Sequence, residues 1–330
     1  MSHRLGFLLL LTTLSISPAA AESRLLVVNK DDHSLSILDA STGSTLHEIE
    51  VGGGPHEVVA QSCDWAAVSN YGGARGDAVT LVDPRSGTIT GSLQLPQGAG
   101  PHGLDIIDGG ALLISAEGVG QLLVSDGQRR KVAQSIATEA RVSHMVVGDG
   151  QRAYLSNIGS GSVTVIDLAG GKIIKQISTG AEAEGIALIQ NRDELWVSNR
   201  ADDNISIIDT KTLEIVATLS SRGVPIRISL SPDQRWAAVS NAASSSVSIF
   251  DVAKRELLQT IKLDGPGGLG GLFGSRGATP IGTTFSTDGS RLFVALTRAN
   301  AVAVIATDSW EETARWLVGD NPDGLAYIDC

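Results

Sequence analysis

The chain has 330 residues, of which 42% are hydrophobic and only 4% aromatic, and its formal net charge is −11 at pH 7. The hydrophobic fraction is large enough for a packed core. The acidic balance and the lack of a basic run argue against nucleic acid or an anionic membrane surface as a partner.

The first 21 residues have the pattern of an export signal. Arg4 precedes an apolar stretch at 5–16, and small residues at 19–21 offer a cleavage site. This stretch is too short for a transmembrane helix, which needs about 20 residues, and no second one follows it. We therefore expect a signal peptide at 1–21, one mature domain at 22–330, no membrane span, and a periplasmic or secreted location.

One short phrase recurs seven times along the mature region: a proline or small residue, one variable residue, and then an apolar strand. The interval between phrases is roughly 40 to 55 residues, which is typical of propellers built from four-stranded sheets. The phrases begin at Pro55, Pro101, Ser143, Ala183, Pro225, Pro280 and Pro322. The sequence therefore predicts an all-β, seven-bladed β-propeller with four-stranded antiparallel blades.

Each unit contains four strand-like segments in the same order, as residues 183–220 illustrate. The segments are apolar or alternating, and the turns between them are rich in Asn, Asp and Gly. The chain opens with the last three strands of a unit and ends with a first strand that begins at Gly324. Pairing the two ends completes a seventh blade and leaves no open edge in the ring, so we expect a monomer.

The second and third strands of several units carry a recognisable phrase. Residues 195–199 (Leu-Trp-Val-Ser-Asn), 154–157 (Tyr-Leu-Ser-Asn) and 67–70 (Ala-Val-Ser-Asn) resemble the YVTN phrase of the YVTN β-propeller repeat family. Residues 204–209 and 162–167 resemble the continuation of that repeat. The resemblance departs near Glu117 and Thr297, where the asparagine is missing. It implies a seven-bladed propeller outside the cytoplasm, and its members include both enzymes and binding scaffolds.

The variable residues of the seven phrases should form a ring. The first strand of each unit is expected to be innermost, which places the residue after each phrase opening near one rim of the central channel. These ring positions are His56, His102, His144, Glu184, Ile226, Ile281 and Asp323. Imidazoles and a carboxylate are suitable ligands for Zn, Cu, Ni or Fe. The pattern predicts either a divalent metal site at His56, His102, His144 and Glu184, or a polar channel mouth that these side chains fill.

Further polar residues are expected around the same mouth. Arg227 directly follows a ring position, Asp323 is itself one, and Tyr71 and Arg75 lie on a loop between second and third strands. We predict that these four residues contact a small polar ligand. Glu184 is the candidate general base if the site is catalytic. Similar loops carry the charged residues Lys30, Glu117 and Arg200.

Two classes of function are compatible with this pattern. The first is a binding module that holds a small polar ligand, a metal ion or an envelope protein partner at the histidine-lined mouth. The second is a metal-dependent hydrolase, lyase or oxygenase that uses the three-histidine ring. Haem, nucleotide and pyrroloquinoline quinone (PQQ) are not expected, because the C-x-x-C-H, Walker and tryptophan docking motifs are missing.

A glycine-rich insertion at 264–279 lengthens the sixth unit. It joins an outer strand to the next inner strand and should emerge on the histidine face. There it acts either as a lid or as a flexible loop without a role, and the sequence leaves both alternatives open.

The two cysteines occupy equivalent positions in neighbouring units. Cys63 follows Pro55, and Cys330 follows Pro322, by the same eight positions. An oxidising compartment favours a disulfide across the seam of the ring. Two separate thiols are the alternative if the inner strands stand too far apart.

Overall fold

The structure, a computed structural model, describes residues 22–72, 77–264 and 277–330. Within these ranges the chain forms seven four-stranded antiparallel sheets that close into a β-propeller, which confirms the predicted fold. The predicted signal peptide at 1–21, Arg75, and residues 265–276 of the glycine-rich insertion lie outside the described residues. No helix in the described ranges is long and apolar enough to cross a bilayer.

Each blade runs from an inner strand at the channel to an outer strand at the circumference, and the strands are numbered in chain order. Blade 1 comprises β4 (Pro55–Ser62), β5 (Trp65–Asn70), β6 (Ala78–Asp83) and β7 (Thr88–Gln94). Blade 2 comprises β8 (Pro101–Ile106), β9 (Leu112–Ala116), β10 (Gln121–Ser125) and β11 (Val132–Ala137). Blade 3 comprises β12 (Ser143–Gly148), β13 (Arg152–Asn157), β14 (Ser162–Asp167) and β15 (Lys172–Ser178).

The remaining blades repeat this order. Blade 4 comprises β16 (Ala183–Ile189), β17 (Glu194–Asn199), β18 (Asn204–Asp209) and β19 (Glu214–Ser220). Blade 5 comprises β20 (Pro225–Leu230), β21 (Trp236–Asn241), β22 (Ser246–Asp251) and β23 (Glu256–Lys262). Blade 6 comprises β24 (Pro280–Phe285), β25 (Arg291–Leu296), β26 (Ala301–Ala306) and β27 (Glu311–Leu317). Single 3₁₀ turns lie at Asp108–Gly110, Glu117–Val119, Gln190–Arg192, Arg200–Asp202 and Thr297–Ala299.

Blade 7 is built from both ends of the chain, as the terminal strands predict. Its strands are β28 (Pro322–Asp329), β1 (Ser23–Asn29), β2 (Ser34–Asp39) and β3 (Thr45–Glu50), in that order from the channel. A buried apolar cluster joins blade 7 to blade 1. A disulfide links Cys63 to Cys330, with the Cα atoms 5.3 Å apart, so the structure contains the bridged alternative.

The asparagine of the repeated phrase ties the second strand of a blade to the third. The Asn157 side-chain amide donates to the hydroxyls of Ser162 (3.1 Å) and Thr164 (3.0 Å). Asn29 makes the same pair of contacts with two serines of blade 7. All of these groups are buried, and a buried amide is stable only when it is hydrogen-bonded. The phrase thus has a direct structural role at each of these sites.

Candidate functional site

A serine one residue before the end of the second strand positions the ring residue of the next blade. Ser69 of blade 1 donates its hydroxyl to the backbone carbonyl of His102 on blade 2, at 2.8 Å. The same type of contact joins Ser115 to His144, Ser156 to Glu184, and Ser198 to Ile226. Four consecutive ring residues are therefore fixed by hydrogen bonds from the neighbouring blade.

Glycine after the ring residue allows neighbouring inner strands to approach closely. A Cβ at Gly185 would lie 2.2 Å from the carbonyl oxygen of Ile226, and one at Gly282 would lie 2.0 Å from that of Asp323. Both distances are far below van der Waals contact, so no side chain fits there. In blades 1 and 5 this position holds Glu57 and Arg227 instead, and these two side chains meet in the channel.

All seven ring positions line one cavity of about 260 Å³ at the mouth of the channel, together with Lys30, Arg200 and Arg227. The structure thus brings together the residues that the sequence selects as metal ligands, and also Arg227 and Asp323. Their proposed roles stay predictions. Ile226 and Ile281 form an apolar part of the wall.

Tyr71 does not line this cavity but stands behind it. Its ring packs against His56, with 4.8 Å between ring centroids, and against His102, with 5.6 Å. Its hydroxyl donates to Glu117 at 3.1 Å. Tyr71 is therefore placed to support the histidines, and Arg75, the other loop residue proposed for ligand contact, lies outside the described residues.

One half of the mouth, here called the ionic half, comprises His144, Glu184 and Arg227 on blades 3 to 5. Arg227 donates from Nη1 to Glu184 at 2.8 Å, and from Nε and Nη2 to Glu57 at 3.0 and 2.8 Å. Glu57 belongs to blade 1, so this salt bridge crosses the channel. Arg200 donates to the second carboxylate oxygen of Glu184 at 2.8 Å. The ion pairs thus connect blades 1, 4 and 5 through the Arg227 side chain.

His144 joins the same network through both ring nitrogens. Nδ1 lies 3.2 Å from Glu117 and Nε2 lies 3.6 Å from Glu184. Burial lowers the pKa of His144, but hydrogen bonds to Glu117 and Glu184 outweigh burial and raise it. Burial raises the pKa of Glu184, yet His144 and Arg227 together bring it down to about 2. This half therefore holds an ionised carboxylate beside an imidazole whose protonated form is favoured.

The other half, here called the open half, comprises Asp323, His56 and His102 on blades 7, 1 and 2. His56 donates from Nδ1 to the carbonyl of Gly54 at 2.8 Å, which leaves Nε2 as an acceptor. Burial lowers the pKa of His56 to about 4, Asp323 raises it, and Lys30 lowers it further. Burial and the neighbouring His144 hold the pKa of His102 well below its usual value. Both imidazoles are therefore neutral at pH 7.

Two buried polar atoms of the open half have no hydrogen-bond partner: Nδ1 of His102 and Oδ1 of Asp323. The two residues are only 3% and 4% exposed. The other carboxylate oxygen of Asp323 lies 3.3 Å from Nζ of Lys30. A buried polar group left without a partner costs about 1–3 kcal/mol. The open half therefore has hydrogen-bonding capacity that the protein itself does not use.

The predicted metal ligands are close together, but several of their donor atoms already have partners. Both nitrogens of His144 face carboxylates, and both oxygens of Glu184 accept from arginines. Within the described residues, no group of three or more His, Cys, Asp or Glu side chains is arranged to hold a metal ion. Nε2 of His56 and Nδ1 of His102 are the ring nitrogens that keep an available position.

Glu57, which joins the ion pairs of the site, was not predicted from the sequence, and neither were Thr297 and Asn321 in the cavity wall. The residue after the ring position is glycine in blades 2, 4, 6 and 7, and it is charged in blade 1 (Glu57) and blade 5 (Arg227). Blades 1 and 5 stand on opposite sides of a seven-membered ring. Opposite charges at the same register could therefore have indicated a pair across the channel.

Similar structures support the fold and nothing finer. A Bacteroides fragilis protein described as a candidate 6-phosphogluconolactonase is 16% identical, with a TM-score of 0.75 over 96% of this chain and 100% of that one. Kuenenia stuttgartiensis hydrazine synthase is 16% identical, with a TM-score of 0.70 over 84% and 90%. A streptogramin B lyase is 16% identical, with a TM-score of 0.68 over 83% and 87%. Among curated proteins, none matches the chain.

Two family models match the sequence. The model of YNCE-like β-propellers matches residues 139–272. The PQQ_2 model, described as outer membrane protein assembly factor BamB, matches residues 10–177, which is just over half of the chain. Both are propeller models, in agreement with the seven blades. On the extent of the second match, the chain belongs to the PQQ_2 family, the family described as outer membrane protein assembly factor BamB.

Proposed function

We propose that this protein is an exported β-propeller that binds a small polar ligand at the mouth of its channel. The observation that supports the proposal is the pair of buried, unpartnered atoms, His102 Nδ1 and Asp323 Oδ1, on residues that line one cavity. Ligand pockets usually measure about 300–1,000 Å³. At about 260 Å³ this cavity suits a small molecule.

A larger groove elsewhere on the propeller lacks this property. It measures about 620 Å³ and lies between the outer strands of blades 4 and 5, beside Leu257 and Lys262. None of the buried unpartnered side-chain atoms found in the described residues belongs to its lining. Size alone would favour this groove, but unsatisfied hydrogen-bonding groups point to the channel mouth.

An envelope location and an envelope protein partner are part of the proposal. The family is described as an outer membrane protein assembly factor, and the first 21 residues have the pattern of an export signal. The repeated Ser-Asn phrase, with its contacts to the next strand and the next blade, supports assignment to the YVTN type of repeat. Expression of an epitope-tagged full-length chain, followed by cell fractionation, tests the location. We expect the tag in the periplasm or the medium, and a tag found only in the cytoplasm would contradict the proposal.

A metal-dependent enzyme is the second proposal. One observation favours it: His56 donates from Nδ1 to a backbone carbonyl, an arrangement that is common in histidines that bind metal through Nε2. His56 and His102 would be the ligands, and a metal there would polarise a bound water or substrate oxygen. Glu184 is a poor general base, because two arginines and His144 surround it and its pKa is about 2.

Ligand-observed NMR with a library of small polar metabolites tests the first proposal. We expect hits with the wild-type protein that are lost in Asp323→Ala. They should be kept in Asp108→Ala, which removes an exposed carboxylate from a separate cavity at the other end of the inner strands. Hits that survive in Asp323→Ala, or the absence of hits, contradict the proposal. Stoichiometric metal in the purified protein that is lost in His56→Ala would instead favour the second proposal.

A further inference from the structure

The cations at the mouth already have carboxylate partners. Arg227 is paired with Glu57 and Glu184, and Arg200 with Glu182 and Glu184. The same holds for two further groups, His144 with Glu117 and Lys30 with Asp323. A negatively charged ligand would therefore find no unpaired cation, and it would bring an uncompensated charge into a partly desolvated cavity, which is unfavourable. The charge pairing of the described residues thus disfavours an anionic ligand.

A positively charged ligand meets a different obstacle. The cations Lys30, Arg200 and Arg227 line the same cavity as His102. The same charges would repel an ammonium group placed beside that imidazole. A negatively charged ligand would lie against Asp323, whose Oδ1 is buried and needs a hydrogen-bond donor.

The free atoms of the open half require a ligand that donates hydrogen bonds and can also accept them. Oδ1 of Asp323 and Nε2 of His56 are acceptors, and Nδ1 of His102 is a donor or an acceptor according to its tautomer. A hydroxyl group fits each of these positions, because it has one donor and two acceptor sites. Across the cavity, Ile226 and Ile281 offer an apolar surface for C–H groups.

We infer that the ligand is a neutral, polyhydroxylated small molecule, such as a monosaccharide or cyclitol, with adjacent hydroxyls on Asp323, His56 and His102. This inference rests on the proposed function and narrows it to one chemical class. The hydroxyls meet the buried acceptors of the open half, and the carbon skeleton lies toward the two isoleucines. The ion pairs of the ionic half stay intact in the complex.

Four probes of similar size and different charge test the inference: the neutral D-glucose and myo-inositol, the anionic D-gluconate and the cationic D-glucosamine. Isothermal titration calorimetry on the full mature chain at pH 7 measures their affinities, with L-serine as a zwitterionic comparison. We expect D-glucose or a neutral cyclitol such as myo-inositol to bind at least tenfold more tightly than the charged probes. Asp323→Ala should weaken that binding at least tenfold, whereas Asp108→Ala should leave it unchanged. Circular dichroism and urea denaturation verify that both variants are folded.

The outcomes separate the inference from the function on which it rests. A charged or zwitterionic probe that binds as tightly as the neutral ones, and is lost in Asp323→Ala, overturns the inference but leaves the binding site in place. Native mass spectrometry of the purified protein adds a second readout. A co-purified neutral hydroxylated molecule supports the inference, and a co-purified ion overturns it. If none of these probes binds, the inference is wrong; the proposed function is wrong as well only if the library of small polar metabolites also gives no hits that depend on Asp323.

Discussion

The two halves of the channel mouth share one scaffold and differ in their hydrogen bonding. In both, a serine of one blade fixes the ring residue of the next, as Ser69 does for His102 and Ser156 does for Glu184. In the ionic half every charged ring group has a partner, whereas in the open half Asp323 and His102 each keep a buried atom without one.

Because of this difference, we expect one half of the ring mainly to stabilise the fold and the other half mainly to bind the ligand. A buried charge with several partners holds blades together, and its removal leaves other charges exposed to an apolar interior. A buried polar atom without a partner does the opposite, because it costs stability until a ligand supplies the missing hydrogen bond. We therefore expect substitutions in the ionic half to affect mainly folding, and those in the open half mainly ligand affinity.

The largest effect should follow from Arg227→Met in the ionic half. The substitution keeps most of the side-chain volume but leaves Glu57 and Glu184 without their shared cation. Breaking a buried ion pair from one side typically costs about 3–5 kcal/mol. Urea denaturation should show a decrease of this size in the free energy of unfolding.

An exposed arginine provides the matched control. Arg85 pairs with Asp64 at 2.9 Å, but both side chains are at least half exposed to solvent. Arg85→Met should therefore leave the free energy of unfolding essentially unchanged. Equal losses in the two variants would mean that the channel-crossing network has no special role in stability.

The disulfide should have the next largest effect, and it lies on the side of the open half. It joins the inner strands of blades 1 and 7, which carry His56 and Asp323. The double variant Cys63→Ser, Cys330→Ser should lower the free energy of unfolding by about 4 kcal/mol, because a long loop in the unfolded chain is no longer closed. Urea denaturation with and without dithiothreitol measures this: the reductant should destabilise the wild type and have no effect on the variant. If dithiothreitol leaves the free energy of unfolding of the wild type unchanged, the expectation is wrong.

The architecture was predictable because it depends on periodic local signals. The seven phrases from Pro55 to Pro322 and the terminal strands predict the blades and the closure of blade 7, and the structure has both. The ring positions follow from the same register, so the repeat alone predicts that His56, His102 and His144 lie close together, as they do.

The division into two halves could not be read from the repeat. It depends on which side chains reach across the channel axis. Arg227 of blade 5, for example, forms a salt bridge with Glu57 of blade 1. The repeat also gives no information about which imidazole is neutral, because this depends on different contacts: His144 faces Glu117 and Glu184, whereas His56 donates to the carbonyl of Gly54. The metal prediction treated the three histidines as equivalent, and their partners make them different.

The opposite pKa shifts of the histidines predict opposite pH dependences. Burial lowers the pKa of His56 to about 4 against about 6.5 in the unfolded chain, with Asp323, Lys30 and Arg227 as its charged neighbours. The unfolded state thus binds more protons between these values, and His56 makes stability fall by at most about 3 kcal/mol as pH drops from 6.5 to 4. His144 has a raised pKa, so its contribution is complete below pH 6.5 and is lost as pH rises through the folded pKa.

Unfolding free energies between pH 4 and pH 8 measure both contributions in two glutamine variants. His56→Gln should reduce the loss of stability toward acid. His144→Gln should remove stabilisation that is strongest at acid pH, and should therefore make that loss steeper. If the two variants change the pH profile in the same direction, the two halves are not electrostatically distinct.

The smallest effect on stability should give the sharpest comparison between the halves. Ser69→Ala and Ser156→Ala remove equivalent hydroxyls, each of which donates to a ring carbonyl of the next blade and accepts a backbone N–H of its own blade. Each should lower the free energy of unfolding by about 1–2 kcal/mol, because the same buried groups lose one partner. Only Ser69→Ala releases His102, whose Nδ1 is free to meet a ligand, while Ser156→Ala releases Glu184, whose carboxylate oxygens already accept hydrogen bonds from Arg200 and Arg227. Calorimetric titration with D-glucose should therefore show weaker binding in Ser69→Ala alone, and an equal loss in both variants would mean that the whole ring, rather than its open half, holds the ligand.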